Sequence, residues 1–195
     1  MRQADIKRDT KETKINLSLN LDGTGQSSID TGVGFLDHML TLFAAHSRCD
    51  LTVVCDGDTY VDDHHTVEDV AICLGQAIDQ ALGEKRGITR YSSTIIPMDE
   101  ALVLTALDIS GRGYLGWALK IPTEKCGNFD TELIEEFFMA LTREARITLH
   151  IHYLTGKNSH HIIEAAFKSF ARTFREAVAI DPQLGDELPS TKGAI

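Results

Sequence analysis

Asp63-His64-His65-Thr66-Val67-Glu68 returns 96 positions later as Ser159-His160-His161-Ile162-Ile163-Glu164, so the chain carries one pattern, His-His-x-x-Glu, twice. The match extends past the motif. Val67, Val70, Ala71, Leu74, Ile78, Ala81 and Leu82 are followed at the same interval by Ile163, Ala166, Phe167, Phe170, Phe174, Ala177 and Val178. Spacings of three and four mark one buried face of a helix. Each helix therefore opens with two imidazoles and a carboxylate, and Asp63 and Ser159 are residues of N-cap type. At 3.6 residues per turn His64 and Glu68 share a stripe, as do His160 and Glu164, while His65 and His161 point about 100° away. A pair on one stripe with a divergent imidazole beside it suits two metal ions better than one. A single His-His at a helix start is usually capping or surface decoration. Two on homologous helices of a duplicated chain are hard to explain by packing.

Working outward, the alternation of Ile15, Leu17, Leu19 and Leu21 with Asn16, Ser18, Asn20 and Asp22 predicts a half-buried strand, closed by Gly23-Thr24-Gly25. On spacing alone Arg8, Lys11, Glu12 and Lys14 are a solvated strand end. Phe35, Leu36, Met39, Leu40 and Phe43 predict an amphipathic helix that contains His38, with His46 near its end, and residues 51–55 a short strand. The first His-His helix stops near Gly83. The second half repeats this order: strands over 93–97, 101–109 and 114–121, then a helix with Leu133, Ile134, Phe137, Phe138 and Leu141, each 98 positions after its counterpart. Residues 147–151 are placed as the strand 96 positions after 51–55. The expectation is an α+β fold of two β-β-β-α-β-α halves, 1–92 and 93–195, each a sheet with two helices on one face. The repeat is imperfect where chemistry would sit. Glu136 matches His38, and at the 96-residue interval Val54 matches His150, so these two histidines serve a site rather than the scaffold. His46 and His152 keep a partly structural explanation.

The chain has 195 residues, 43% hydrophobic and 25% charged, enough for one compact unit or two small halves. A net charge of −10 argues against nucleic acid or an anionic membrane as a general partner. It also means that a bound phosphate must be met by a few local cations. The start of the chain lacks the apolar core of a signal peptide and no run approaches membrane-spanning length, so a cytoplasmic protein is expected. Cys49, Cys55, Cys73 and Cys126 show neither CxxC spacing nor a dense framework and read as buried free thiols.

Gly34-Phe35-Leu36-Asp37-His38-Met39-Leu40, Asp63-His64-His65-Thr66-Val67-Glu68-Asp69, Ser110-Gly111-Arg112, His160-His161-Ile162-Ile163-Glu164-Ala165 and Pro189-Ser190-Thr191-Lys192-Gly193, in that order, resemble the imidazoleglycerol-phosphate dehydratases of histidine biosynthesis. The resemblance runs from Lys11-Glu12-Thr13 to the tail. One departure is Gly113, where the family commonly has proline after the arginine, a difference in loop stiffness more than in chemistry. The resemblance implies a fold like ribosomal protein S5 domain 2 and an octahedral homo-oligomer built from trimers (a 24-mer), with active sites between subunits and two Mn²⁺ per site. It implies as ligands His38, His64, His65, Glu68, His150, His160, His161 and Glu164, three imidazoles and one carboxylate per ion. The helix argument assigns Glu68 with His64 to one ion and Glu164 with His160 to the other. His65 and His161 then cross to the opposite ions, His38 joins the Glu164 ion and His150 the Glu68 ion. Such mixed ligation also suits Fe, Co, Ni or Zn.

The implied reaction removes water from D-erythro-imidazoleglycerol phosphate to give imidazole-acetol phosphate. Ions on both ring nitrogens favour the imidazolate, which can expel the neighbouring hydroxyl. Glu12 matches the family's substrate-contacting glutamate, which displaces the solvated-strand explanation and makes it the first candidate for moving the proton, with His46 second. Glu100 and the other carboxylates are expected to be solvated. The phosphate falls by resemblance to Arg90, Arg112, Ser190 and Lys192, with Lys168 also at a substrate-contacting position. A dinuclear metal hydrolase is the competing possibility from the same His/Glu cluster.

Overall fold

Each half begins with a hairpin whose turn is held by the strand pairing on either side. The computed structural model describes residues 2–195, and its first half runs β1 (Gln3–Asp9), β2 (Thr13–Asn20), β3 (Ser27–Asp30), α1 (Gly34–Ser47), β4 (Asp50–Gly57) and α2 (His64–Leu82). The second runs β5 (Tyr91–Met98), β6 (Ala101–Asp108), β7 (Tyr114–Ala118), the short pair β8 (Lys125–Cys126) and β9 (Phe129–Asp130), α3 (Leu133–Ala145), β10 (Thr148–Thr155) and α4 (Ser159–Ala177). The sheet orders, β1-β2-β4-β3 and β5-β6-β10-β7, are the same topology, with the last neighbour parallel and the others antiparallel in both. The α+β duplication expected from the sequence is therefore present.

Alternation decides which face of each sheet is covered. Ile15, Leu17 and Leu19 of β2 and Leu51 and Val53 of β4 turn inward and are buried, while Lys14, Asn16 and Ser18 turn out. On the covered faces α2 lies across β1 and β2, and α4 across β5 and β6. The halves then interlock through their helices, α2 against α3 and α1 against α4, so that four helices fill the space between two sheets. Phenylalanines make this seam. Phe43 of α1 stacks 5.5 Å from Phe170 of α4, and Phe138 of α3 lies 5.0 Å from Phe167 and 5.5 Å from Phe170.

Gly75 sets how closely α2 and α3 approach. A Cβ there would stand 2.8 Å from the Leu141 carbonyl oxygen and 3.0 Å from the Ala145 nitrogen, both backbone atoms that cannot rotate away. In an exposed helix Gly→Ala gains up to about 1 kcal/mol. Here the sign reverses: Gly75→Ala is expected to destabilise by about 1–3 kcal/mol through overpacking, read as a lowered midpoint in denaturant unfolding.

Three sequence expectations are corrected. The strand repeat is 98 positions, not 96: α1 and α3 end on Arg48 and Arg146 in the left-handed region, and Leu51 and Leu149 face Leu19 and Leu107 across their ladders. The interval falls to 96 only in the loop between β10 and α4, which is two residues shorter ahead of the His-His pair than the loop between β4 and α2. His150 therefore corresponds to Thr52, not Val54. The cap of α4 moves one residue upstream, from Ser159 to Asn158, whereas Asp63 keeps the N-cap position of α2 but makes no side-chain capping bond there. Asp62 accepts the His64 N–H at 2.8 Å, and Asn158 those of His160 and His161 at 2.9 and 3.3 Å. Finally, the β7–α3 connection, residues 119–132, holds the small β8–β9 hairpin, which the three-residue β3–α1 connection lacks. Buried Phe129 and the Thr131 hydroxyl, donating to the Thr123 carbonyl at 2.7 Å, fasten this insertion.

Cys49, Cys55 and Cys73 are buried free thiols and Cys126 is half-buried. Burial pushes the first three up to about 11, 11 and 12, so they stay protonated. Among the described residues no helix is long and apolar enough to cross a membrane.

Candidate active site

The helix pitch places His160 and Glu164 on one stripe of α4, and the packing of α1 beside α4 brings His38 to them. His38 Nε2 lies 3.4 Å and His160 Nε2 3.2 Å from the same Glu164 oxygen, Oε2. Among the described residues this is the one group of three or more potential ligands whose donor atoms all lie within 4.8 Å of one another. Lys168, one turn on, donates to the other oxygen, Oε1, at 2.6 Å. Glu164 is buried. Burial acts to raise its carboxyl, but Lys168, His38 and His160 outweigh that and hold it below the ordinary glutamate value. Two imidazole nitrogens converging on a carboxylate oxygen, with its partner oxygen clamped by an ammonium, fit a transition-metal site.

The start of α2 repeats the geometry in looser form. His64 Nε2 stands 3.8 Å from Glu68 Oε2 on the same stripe, and both side chains are partly exposed. His65 turns away, its ring at 81° to that of His64, as His161 does from His160 at 86°. A cleft beside the β8–β9 hairpin runs from α1, with Phe35 and His38, to Asp63 at the start of α2, lined also by Val33 and Phe129.

The divergent histidines have partners the sequence did not disclose. His65 Nδ1 is 3.0 Å from Asp58 Oδ2, and His161 Nδ1 is 2.7 Å from Glu100 Oε2. Glu100 is exposed, as expected, but it is not without partners. Its Oε1 also accepts the N–H groups of Lys157 and Asn158 at 3.1 and 2.8 Å. Those three bonds, His161 first, hold its carboxyl down to about 2, and Glu100 in turn raises the His161 imidazole. Asp58 raises His65 in the same way. Glu12 sits at the β1–β2 turn with its side chain 53% exposed and Oε1 3.8 Å from His65 Nε2. Its backbone is fixed, because the Thr10 hydroxyl accepts the N–H groups of Glu12 and Thr13. A signal for Glu100 existed: Glu12 and Glu100 occupy the same place in the two hairpin turns, each just before β2 or β6.

His46, half-buried on α1, faces Lys168 and Arg172 of α4. Burial first, then those two cations, lower its imidazole. Arg90, Arg112, Ser190 and Lys192 gather elsewhere, at the far end of β6. Arg90 donates to Asp108 at 2.7 Å and to the Pro189 carbonyl at 2.7 Å, which ties down the tail. The Ser190 hydroxyl donates to the Ala194 carbonyl at 2.8 Å, and the chain end packs on Gly111, next to the exposed Arg112. β6 separates this cradle from His161. At about 3.3 Å per residue, roughly 25 Å lies between Glu100 and Asp108. His150 joins no ligand group among the described residues. It lies on the outer face of its sheet over Gly116, its ring 5.6 Å from Tyr114 and 6.0 Å from His152. Tyr91, Ile95, Tyr114 and Leu154 are exposed in the same sheet.

Comparison with known proteins agrees with the motifs and the fold. The family profile described as imidazoleglycerol-phosphate dehydratase matches residues 31–174. An imidazoleglycerol-phosphate dehydratase of Cereibacter sphaeroides is 57% identical over 195 residues, covering the whole of both chains. The crystal structure of the Staphylococcus aureus enzyme of that name superposes with a TM-score of 0.84 at 43% identity, covering 92% of this chain and 99% of the other. That from Pyrococcus furiosus gives 0.84 at 37% identity, covering 97% and 100%. This chain belongs to the imidazoleglycerol-phosphate dehydratase family.

Proposed function

We propose that the protein is a metal-dependent hydro-lyase of histidine biosynthesis. It removes water from imidazoleglycerol phosphate to give imidazole-acetol phosphate, with two Mn²⁺ per active site. The observation that carries the metal is the convergence of His38 and His160 on one oxygen of buried Glu164, with Lys168 on the other. His64 and Glu68 offer the same pair for a second ion, completed by His161 and His150, while His65 crosses to the Glu164 ion. When bound, the ions would supply Lewis acidity to the substrate. Glu12, anchored by its backbone and free at its carboxylate, moves the proton at the substrate carbons, with His46 as the alternative carrier. Lys168 holds Glu164 in place and lies at the substrate's edge. Arg90 fastens the tail, and Arg112, Ser190 and Lys192 meet the phosphate.

The roughly 25 Å between the cradle and the helix starts exceeds what a three-carbon chain between ring and phosphate can span. His150 faces outward as well. Both features favour a homo-oligomer in which one copy's cradle and His150 complete a neighbour's site; the octahedral assembly of trimers rests on the family resemblance.

Metal-stripped protein given imidazoleglycerol phosphate and Mn²⁺ is expected to form the ketone, seen by its enolate absorbance in alkali, with phosphate retained. Free phosphate would instead mark a hydrolase, and no turnover would reject the assignment. Arg112→Ala is expected to raise KM about 10–100-fold, the loss of roughly 1.5–3 kcal/mol of charge-assisted hydrogen bonding. Mn²⁺ content should stay unchanged. Loss of metal instead would place Arg112 in the metal site.

A further inference from the structure

We propose that Asp58 and Glu100 are the positioning carboxylates of the metal site: each holds the Nδ1 edge of a divergent histidine, His65 or His161, so that Nε2 is presented to an ion. The inference rests on the two-metal assignment above and concerns residues that assignment does not use.

The geometry is the same on both sides of the duplication but is reached from different places in the chain. In the second half the orienting carboxylate comes from the hairpin turn, where Glu100 lies 2.7 Å from His161 Nδ1 and is itself clamped by the Lys157 and Asn158 N–H groups. In the first half the same turn position is Glu12, which makes no contact with His65 Nδ1 shorter than those of Asp58. Asp58, from the end of β4, is there at 3.0 and 3.2 Å, its side chain only 14% exposed, with its backbone N–H donated to the Glu12 carbonyl at 3.0 Å. The second half has no carboxylate matching Asp58: the strand repeat puts Gly156 there and the helix repeat Leu154.

One turn position has therefore taken two roles. Glu100 orients an imidazole, while Glu12 is released because Asp58 does that work, leaving its carboxylate 3.8 Å from His65 on the Nε2 side. An imidazole whose Nδ1–H is bonded to a carboxylate is fixed in tautomer and ring angle, and its Nε2 becomes a better donor. A purely structural pair would not need both histidines to turn the same nitrogen outward.

The test uses the full-length, metal-stripped oligomer titrated with Mn²⁺, free ion being counted by electron paramagnetic resonance, and with Co²⁺ followed by its visible absorption. Asp58→Ala and Glu100→Ala are each expected to weaken Mn²⁺ binding at one site about 10–100-fold and to shift the Co²⁺ bands. Asp58→Asn and Glu100→Gln keep an oxygen for Nδ1–H without the charge and should fall between wild type and alanine. If an alanine variant does not fold, its amide counterpart decides: weakened binding with shifted bands supports the proposal, and wild-type affinity and spectrum overturn it. Wild-type affinity in folded alanine variants also overturns it. Wild-type protein that binds no Mn²⁺ would reject the metal assignment itself, which is a separate result.

Discussion

Glu12→Gln lowers kcat by about 10²–10⁴-fold, the range a positioned proton carrier contributes, while Mn²⁺ content and KM remain close to wild type. The expectation comes from how the turn is built. Thr10 fixes the backbone through the Glu12 and Thr13 N–H groups, so the amide substitution leaves the turn intact. The side chain is 53% exposed and 3.8 Å from the nearest imidazole nitrogen, positioned to reach a substrate rather than to support the protein. His65 keeps its Asp58 partner in the variant, so metal binding does not depend on Glu12. Parallel loss of metal and rate would make Glu12 a ligand. Wild-type kcat would pass the proton to His46.

Glu164→Gln removes one ion. Its Oε2 is the point on which His38 and His160 converge, and its Oε1 takes the Lys168 ammonium. A neutral amide presents a poor ligand oxygen and leaves Lys168, packed among the helices, without its counter-charge. Loss of an outer partner of a ligand costs about 10–100-fold in affinity, so loss of the ligand itself should exceed about 100-fold for this ion. Atomic analysis of dialysed protein should fall from two Mn²⁺ towards one, with activity lost in proportion to the missing ion. Full metal occupancy with normal turnover would show that the His38–His160–Glu164 cluster is not a metal site.

Much of this was legible in the sequence because helices advertise themselves locally. Two faces at spacings of three and four, separated by 96, gave α2 and α4, the His64–Glu68 and His160–Glu164 stripes and the divergence of His65 and His161. The strands were less exact. Their side chains alternate with period two, so an interval of 96 or 98 keeps the same residues inward, and only the ladder and the Arg48 and Arg146 caps tell the two apart. Asp58 and Glu100 were hidden for another reason. Each reaches its histidine from a turn or strand end, and Glu100 does so across 61 positions of chain. No local pattern distinguishes such a carboxylate from a solvated one. The length of β6 between the cradle and His161 likewise appears only when the strand is placed, and it sets Asp108 roughly 25 Å from Glu100.

That separation is tested most directly by mixing two impaired variants, Arg112→Ala and Glu164→Gln, by co-expression or joint refolding. If cradle and metal cluster come from different copies of the chain, random assembly leaves about one site in four with both intact. The mixed oligomer should then regain about a quarter of wild-type kcat/KM. Activity no greater than the sum of the two variants kept apart would mean that each chain builds its own complete site, and would contradict the account.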